Sequence, residues 1–250
     1  YMFLWRGVLA ALGLPRPRAM VSHNRIQILD SKGQEVSPLL LAKNYGYQGL
    51  RYFMLGARVT PGENSYTEDQ VIKIINHDLA NELGNLVSRA VSLVSRFGDG
   101  MIPSPDLLTR QTSDLDLREA ALDLPIKVKA QIENQELLQV VRSIKNLVGK
   151  INRFIESSAP WQLAGSSQQQ GRLDTVLYNL CETLRFLAVS LKPILPEAAN
   201  SILQQLGLDG SPELTAWSSL EQWGLIPIGA RINEQPALCR DMAALVQSQI

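Results

Sequence analysis

Three long runs of apolar residues, recurring every three or four positions, restrict most strongly how this 250-residue chain can fold. The first occupies positions 71, 74/75, 79, 83, 86 and 90 and continues to Phe97. The second carries Leu137, Val140/Val141, Ile144, Leu147/Val148, Ile151 and Phe154/Ile155; the third carries Leu173, Val176/Leu177, Leu180, Leu184, Leu187 and Leu191. Such spacing lines one side of a helix, and an apolar side must be covered. Helices that cover one another form a bundle, which is the fold these runs predict. Thr67 and Gln70 fit a capping box at the start of the first run. Pro193 and Pro196 stop the third, and Glu197 to Leu206 read as a further short helix. A weaker helical pattern covers 115–132.

The first 60 residues are different. "YMFLWRGVLAALGLPRPR" opens as an apolar helix that stops at Pro15 and Pro17, and looks cut from the interior of something larger. "RIQILDSKGQ" reads as a short strand leading into a turn. Ser37 is placed to cap a helix with Pro38 at its first position, and Gly46 and Gly49 interrupt it. "TPGENSY", "GDGMIPSPDLLTRQTSD" and "SAPWQLAGSSQQQG" are loops or polar connections, and from 210 onward Gly, Pro and Trp suggest an irregular tail anchored by Trp217 and Trp223. The fold class expected is therefore mainly α, with a short α/β segment over 1–60 and a helical bundle over 61–250.

Charge narrows the function classes. Lys and Arg number 24 and Asp and Glu number 24, giving a formal net charge of zero, and no block of like charge attracts nucleic acid or acidic membranes non-specifically. Any nucleic-acid binding has to come from a local site. Two cysteines, Cys181 and Cys239, and two histidines, His23 and His77, make no recognisable metal site or disulfide framework, and favour a reducing compartment, cytoplasm or mitochondrial matrix. No apolar run is long enough to span a bilayer. The chain opens on Tyr1 rather than Met, as a fragment or processed product would.

One stretch is unusual. In "INHDLANELGNLVSR", His77, Asn81, Asn85 and Arg89 follow at steps of four and share a face. A merely solvated face favours Lys and Glu, which are better helix formers than Asn. Amides and a guanidinium are suited to reading hydrogen-bonding edges, including those of unpaired bases. Trp161, straight after Pro160, lies outside any apolar repeat and could serve as a platform on which a base stacks. Asp78 and Glu82, at i and i+4, read as a solvated shoulder.

Together with "GLPRP", "VSPLLLAKNYGYQGLRYFML", "INRFIESSAPWQLA" and "VLYNLCETLRFLAVSLKPILPEAA", this stretch resembles successive blocks of the C-terminal half of methionyl-tRNA synthetase, a class I aminoacyl-tRNA synthetase. The resemblance implies an anticodon-binding helical bundle preceded by the end of the catalytic domain and a stem-contact segment. It also implies that Asn81, Asn85, Arg89, Pro160 and Trp161 read the CAU anticodon of tRNA(Met). The family's chemistry, methionine activation with ATP and Mg, requires a HIGH-type motif and a KMSKS loop. The first belongs ahead of this chain. The second should lie between "VSH" and "VSP", where only "NRIQILDSKGQE" stands and roughly eight residues of the family pattern are missing between Gln34 and Glu35. Ser31 and Lys32 echo the motif superficially, and His23 matches a position beside it. The chain alone is thus expected to hold no catalytic or metal-ligating residues and no cofactor. Its expected partners are the tRNA(Met) anticodon loop and a synthetase catalytic half, with no membrane. The alternatives are a segment of an active ligase, a catalytically silent relative, and a bundle reused for docking a protein.

Overall fold

The computed structural model describes residues 2–15, 17, 25–56 and 65–235. His23 and Cys239 lie outside these. The described residues are mainly helical: α1 Met2–Ala11, α2 Pro38–Gly56, α3 Glu68–Ile75, α4 Asn85–Phe97, α5 Thr112–Glu133, α6 Leu137–Ser158, α7 Pro160–Leu163, α8 Gln170–Leu191, α9 Pro196–Gln205 and α10 Pro212–Thr215. Two three-residue strands, β1 Gln27–Leu29 and β2 Ser65–Thr67, pair in parallel, with Ile28 opposite Tyr66. The strand at 27–29 matches the sequence reading. β2 falls where a loop was expected, because Pro61, Gly62 and Asn64 before it are turn formers and it has no apolar pair such as Ile26 and Ile28. Among the described residues no helix is long and apolar enough to cross a membrane.

Local signals place the helix ends. Ser37 Oγ accepts from the Leu40 N–H, with Pro38 as first helical residue. Gly46 takes φ 72° and ψ 151°, so α2 kinks there and not at Gly49, which stays helical. Thr67 and Gln70 form the expected reciprocal cap. The pattern of α5 is weak because apolar residues lie on both its sides: Leu117, Ala121, Leu124 and Val128 are buried, while Leu115 and Ile126 are exposed; Pro125 inside the helix also removes one backbone hydrogen bond.

Joining α3 to α4 is a nine-residue π-helix, Asn76–Gly84, closed by a bond from the Asn85 N–H back to the Ala80 carbonyl. Its reason lies in the sequence. The fully buried residues Val71, Ile75, Leu79 and Leu83 recur at steps of four, while Ile74, at a step of three, is only half-buried. At 3.6 residues per turn each such step drifts by about 40°, so three steps would carry the last residue off the core. Wider turns take up that drift.

At the centre stands α8, buried at every position from Thr175 to Leu191. It packs against α5, α6 and α9. Two of its residues, Glu182 and Arg185, are fully buried and paired at 2.7 Å. Glu182 also accepts from the N–H groups of Gly224, Leu225 and Ile226, while Arg185 donates to carbonyls of Leu214, Ser219 and Gln222. The segment after 210 is therefore laced to α8. It contains α10 and a 3₁₀ turn over Trp217–Glu221, and Trp223 lies 5.6 Å from Phe186.

A second polar knot seats α2 on the bundle. The Tyr52 hydroxyl and Lys145 Nζ donate to Asp78 at 2.9 and 2.6 Å, and His77 Nδ1 lies 2.9 Å from the same carboxylate. Asp78 is thus not on a solvated shoulder, since its side chain is only 10 % exposed. Burial works to raise its pKa, but the bonds from Lys145, His77 and Tyr52 outweigh it and hold the carboxyl below its ordinary value of 3.8.

Two outcomes follow from these knots. Glu182→Ala leaves Arg185 buried without its counter-charge and should cost about 3–5 kcal/mol in urea unfolding; a loss under about 1 kcal/mol would show the pair to be unimportant. For Asp78 the folded pKa lies below the unfolded one, so its stabilisation is present above pH 3.8 and is lost as pH falls through the folded value. The stability gap between wild type and Asp78→Asn should therefore shrink on acidification below that pH. A gap that stays constant from pH 7 into the acid range would contradict the assignment.

Candidate nucleic-acid interface

The wide π turns have a second effect on the opposite side of the same helix. Lys73, His77, Asn81 and Asn85 are all exposed, again at steps of four, and Arg89 follows half-exposed on α4. The turns that keep Leu79 and Leu83 on the core below Ile75 thus also keep His77, Asn81 and Asn85 in line. Neither Asn81 nor Asn85 is engaged by another described side chain, so each offers both donor and acceptor outward.

Trp161 reaches the row from elsewhere in the chain. α6 ends where Ala159 adopts the left-handed region, φ 42°. Pro160 then starts α7 as its buried first residue. This abrupt turn sets Trp161 on a one-turn helix within the polar connection. The Arg89 guanidinium carbon stands 5.3 Å from the centroid of the Trp161 ring, and the indole remains 42 % exposed. Glu156, in the last turn of α6, bonds Arg89 Nη1 at 2.5 Å. The guanidinium is thereby steered over the indole.

Of the five residues singled out in the sequence, four present surface: Asn81, Asn85 and Arg89 along one helix, with Trp161 stacked beside Arg89. Pro160 is buried and acts on the backbone. Glu156 was not anticipated. It lies 67 residues from Arg89, and nothing local in the sequence distinguishes it from other exposed acids. His77 and Asp78 were legible as neighbours of the row, but their tie to Tyr52 and Lys145 was not.

The Arg89–Glu156 pair has side chains 36 % and 63 % exposed, so it is a surface pair worth about 0–1 kcal/mol that a ligand can open at little cost. The ledge is not a cavity. A concavity of about 560 Å³ lies between α5 and α6, with Asp116, Glu119 and Asp123 facing Lys150 and Arg153, and none of the five residues lines it. An open ledge with exposed amides, a fixed cation and an aromatic plane can take up flat, hydrogen-bonding groups presented by a flexible strand.

Comparison with known proteins places the chain. Residues 1–91 match the family model of class I tRNA synthetases of the methionine type. The methionine–tRNA ligase of Caldanaerobacter subterraneus subsp. tengcongensis is 35 % identical over 238 residues, covering 93 % of this chain and 36 % of that protein. That of Clostridium tetani is 33 % identical over 239 residues, covering 94 % and 36 %. A crystal structure of Mycobacterium tuberculosis methionyl-tRNA synthetase bound by methionyl-adenylate superposes with a TM-score of 0.81 at 29 % identity, covering 94 % of this chain and 46 % of that one. Its apo form gives 0.79. The chain thus spans 36 % of the length of these curated relatives. It belongs to the methionyl-tRNA synthetase family of class I aminoacyl-tRNA synthetases.

Proposed function

We propose that this chain is the tRNA-recognition part of a methionyl-tRNA synthetase and reads the CAU anticodon of tRNA(Met) through Asn81, Asn85, Arg89 and Trp161. The observation that carries the reading is the stacking of Arg89 on Trp161, which joins a side chain of α4 to one of α7 beside two outward amides. Anticodon-loop bases are already unstacked, so an indole can take one of them while the amides and guanidinium meet their Watson–Crick edges. In this reading residues 61–250 are the anticodon-binding domain, and 1–60 are the remnant of the catalytic domain with the stem-contact segment. Methionine activation, with its ATP and Mg, then belongs to the catalytic half. The turn over residues 30–36 does not fit a triphosphate. Asp30 already accepts from the Lys32 and Gln34 N–H groups, Arg25 is paired with Glu35, and Lys32 is left as a single cation. The apolar side of α1, with Leu4 71 % and Trp5 57 % exposed, supports a larger body that would cover it.

The test is a titration of the 250-residue chain with a CAU-anticodon stem-loop and with stem-loops altered in the anticodon. The CAU form should bind more tightly, and equal affinities would end the proposal. Trp161→Ala should weaken binding by about 1–3 kcal/mol through lost stacking. Arg89→Ala should reduce the discrimination between anticodons as well as the affinity, and an effect on affinity alone would assign Arg89 to phosphate and not to a base.

A further inference from the structure

The polar row continues past Asn81. One step of four before it stands His77, 66 % exposed and without a role in the reading above. It is not an ordinary surface histidine, because its ring is held. Nδ1 lies 2.9 Å from Asp78, and Asp78 is itself fixed by Tyr52 of α2 and Lys145 of α6. These bonds decide which ring nitrogen carries the proton. An ionised carboxylate can only accept, so Nδ1 must donate to it, and in the neutral ring Nε2 is then a bare acceptor. The lone pair points away from Asp78 on a ring most of whose surface is open.

A fixed acceptor requires a donor on the ligand. Phosphate oxygens only accept and do not match it. A ribose 2′-hydroxyl does, and its presence is what separates RNA from DNA at a given contact. Beyond His77 the row runs on to Lys73 and then Asp69, both exposed, so the part suited to an RNA strand extends one or two turns past the amides before an acid ends it.

Resting on the anticodon-loop reading, we propose that His77 Nε2 accepts a hydrogen bond from a ribose 2′-hydroxyl of the strand whose bases meet Asn81, Asn85, Arg89 and Trp161. Asp78 is the positioning residue that sets the tautomer and the ring plane. The contact makes this end of the ledge selective for RNA.

The experiment uses the full chain at pH 8, above the ordinary imidazole range. Stem-loops with the CAU anticodon, each carrying one 2′-deoxy substitution in the loop or adjoining stem, are titrated against wild type and His77→Leu. One substitution should weaken wild type by roughly 3- to 10-fold and alter His77→Leu by less than about twofold. His77→Gln, whose side-chain carbonyl can accept, should restore part of the difference. Asp78→Ala, which leaves Nδ1 no acceptor, should lose it, with an unfolding midpoint showing that the protein is folded. If every deoxy substitution costs His77→Leu as much as wild type, the proposal is overturned. It is overturned equally if the coupling appears on removing a base amino group, by inosine for guanosine, and not on removing a hydroxyl. Should wild type fail to distinguish anticodons and Trp161→Ala have no effect, the anticodon reading falls. If those effects are present and only the coupling is missing, this inference alone falls.

Discussion

A carboxylate and a guanidinium share the middle of α8 without access to water, and much of the bundle is arranged around making that tolerable. Removing either ion from water costs several kcal/mol, and mutual attraction offsets this only when the remaining lone pairs and N–H groups also find partners. Glu182 and Arg185 find them in one place, the backbone of residues 214–226. The pair therefore dictates the path of a segment whose own sequence has no helical or strand period to guide it. Trp223 on Phe186 closes the apolar side of the same contact. With this face of its middle covered, α8 can be buried from Thr175 to Leu191, giving α5, α6 and α9 a fixed surface to pack on. The position of Trp161 follows from it. α7 lies against α8, with Leu163 packed on the core, so the backbone that carries the indole is held although the ring sits at the surface.

The second constraint is the period of four between Val71 and Leu83. It widens the helix, and one distortion then serves two faces. The apolar residues stay on the core, and Lys73, His77, Asn81 and Asn85 stay in a row. A regular α-helix would turn this row by about 40° at each step and spread its members over a third of the circumference. The Asp78 knot sits inside the same wide segment and ties it to α2 and α6. The row is thus braced at three elements, which the proposed reading of loop bases requires, because amides that sway lose the directional part of their hydrogen bonds.

What could be read from the sequence divides along physical lines. The capping box at Thr67 and Gln70, the Ser37–Pro38 start and the stop at Pro193 are local chemistry, and each was legible because it depends on neighbours within four residues. The long apolar runs gave the helices for the same reason. The row of Asn81, Asn85 and Arg89 was visible as a pattern, although a helix of 3.6 residues per turn was assumed where the chain forms a wider one. Partnerships across the fold were not legible: Glu156 with Arg89, Lys145 and Tyr52 with Asp78, and the lacing of residues 214–226 to α8. Nor was α7, whose single turn depends on the left-handed backbone at Ala159, a conformation that an alanine does not advertise.

The balance of charges bears on how such a ledge could discriminate. A chain with 24 cations and 24 anions gains little from long-range attraction to a phosphate backbone, so the proposed preference among RNAs has to come from short-range contacts. The exposed Arg89–Glu156 pair suits that demand. Opening it costs at most about 1 kcal/mol, while one stacked base returns about 1–3 kcal/mol. In the free protein the acid keeps Arg89 in its orientation over Trp161 and masks it from any anion that passes. A ligand that brings only charge gains nothing over Glu156. One that brings a flat ring for the indole together with an acceptor for the guanidinium gains both terms at once. Selectivity at this site would thus depend on two weak interactions being satisfied together, and the acid beside the arginine makes that requirement strict.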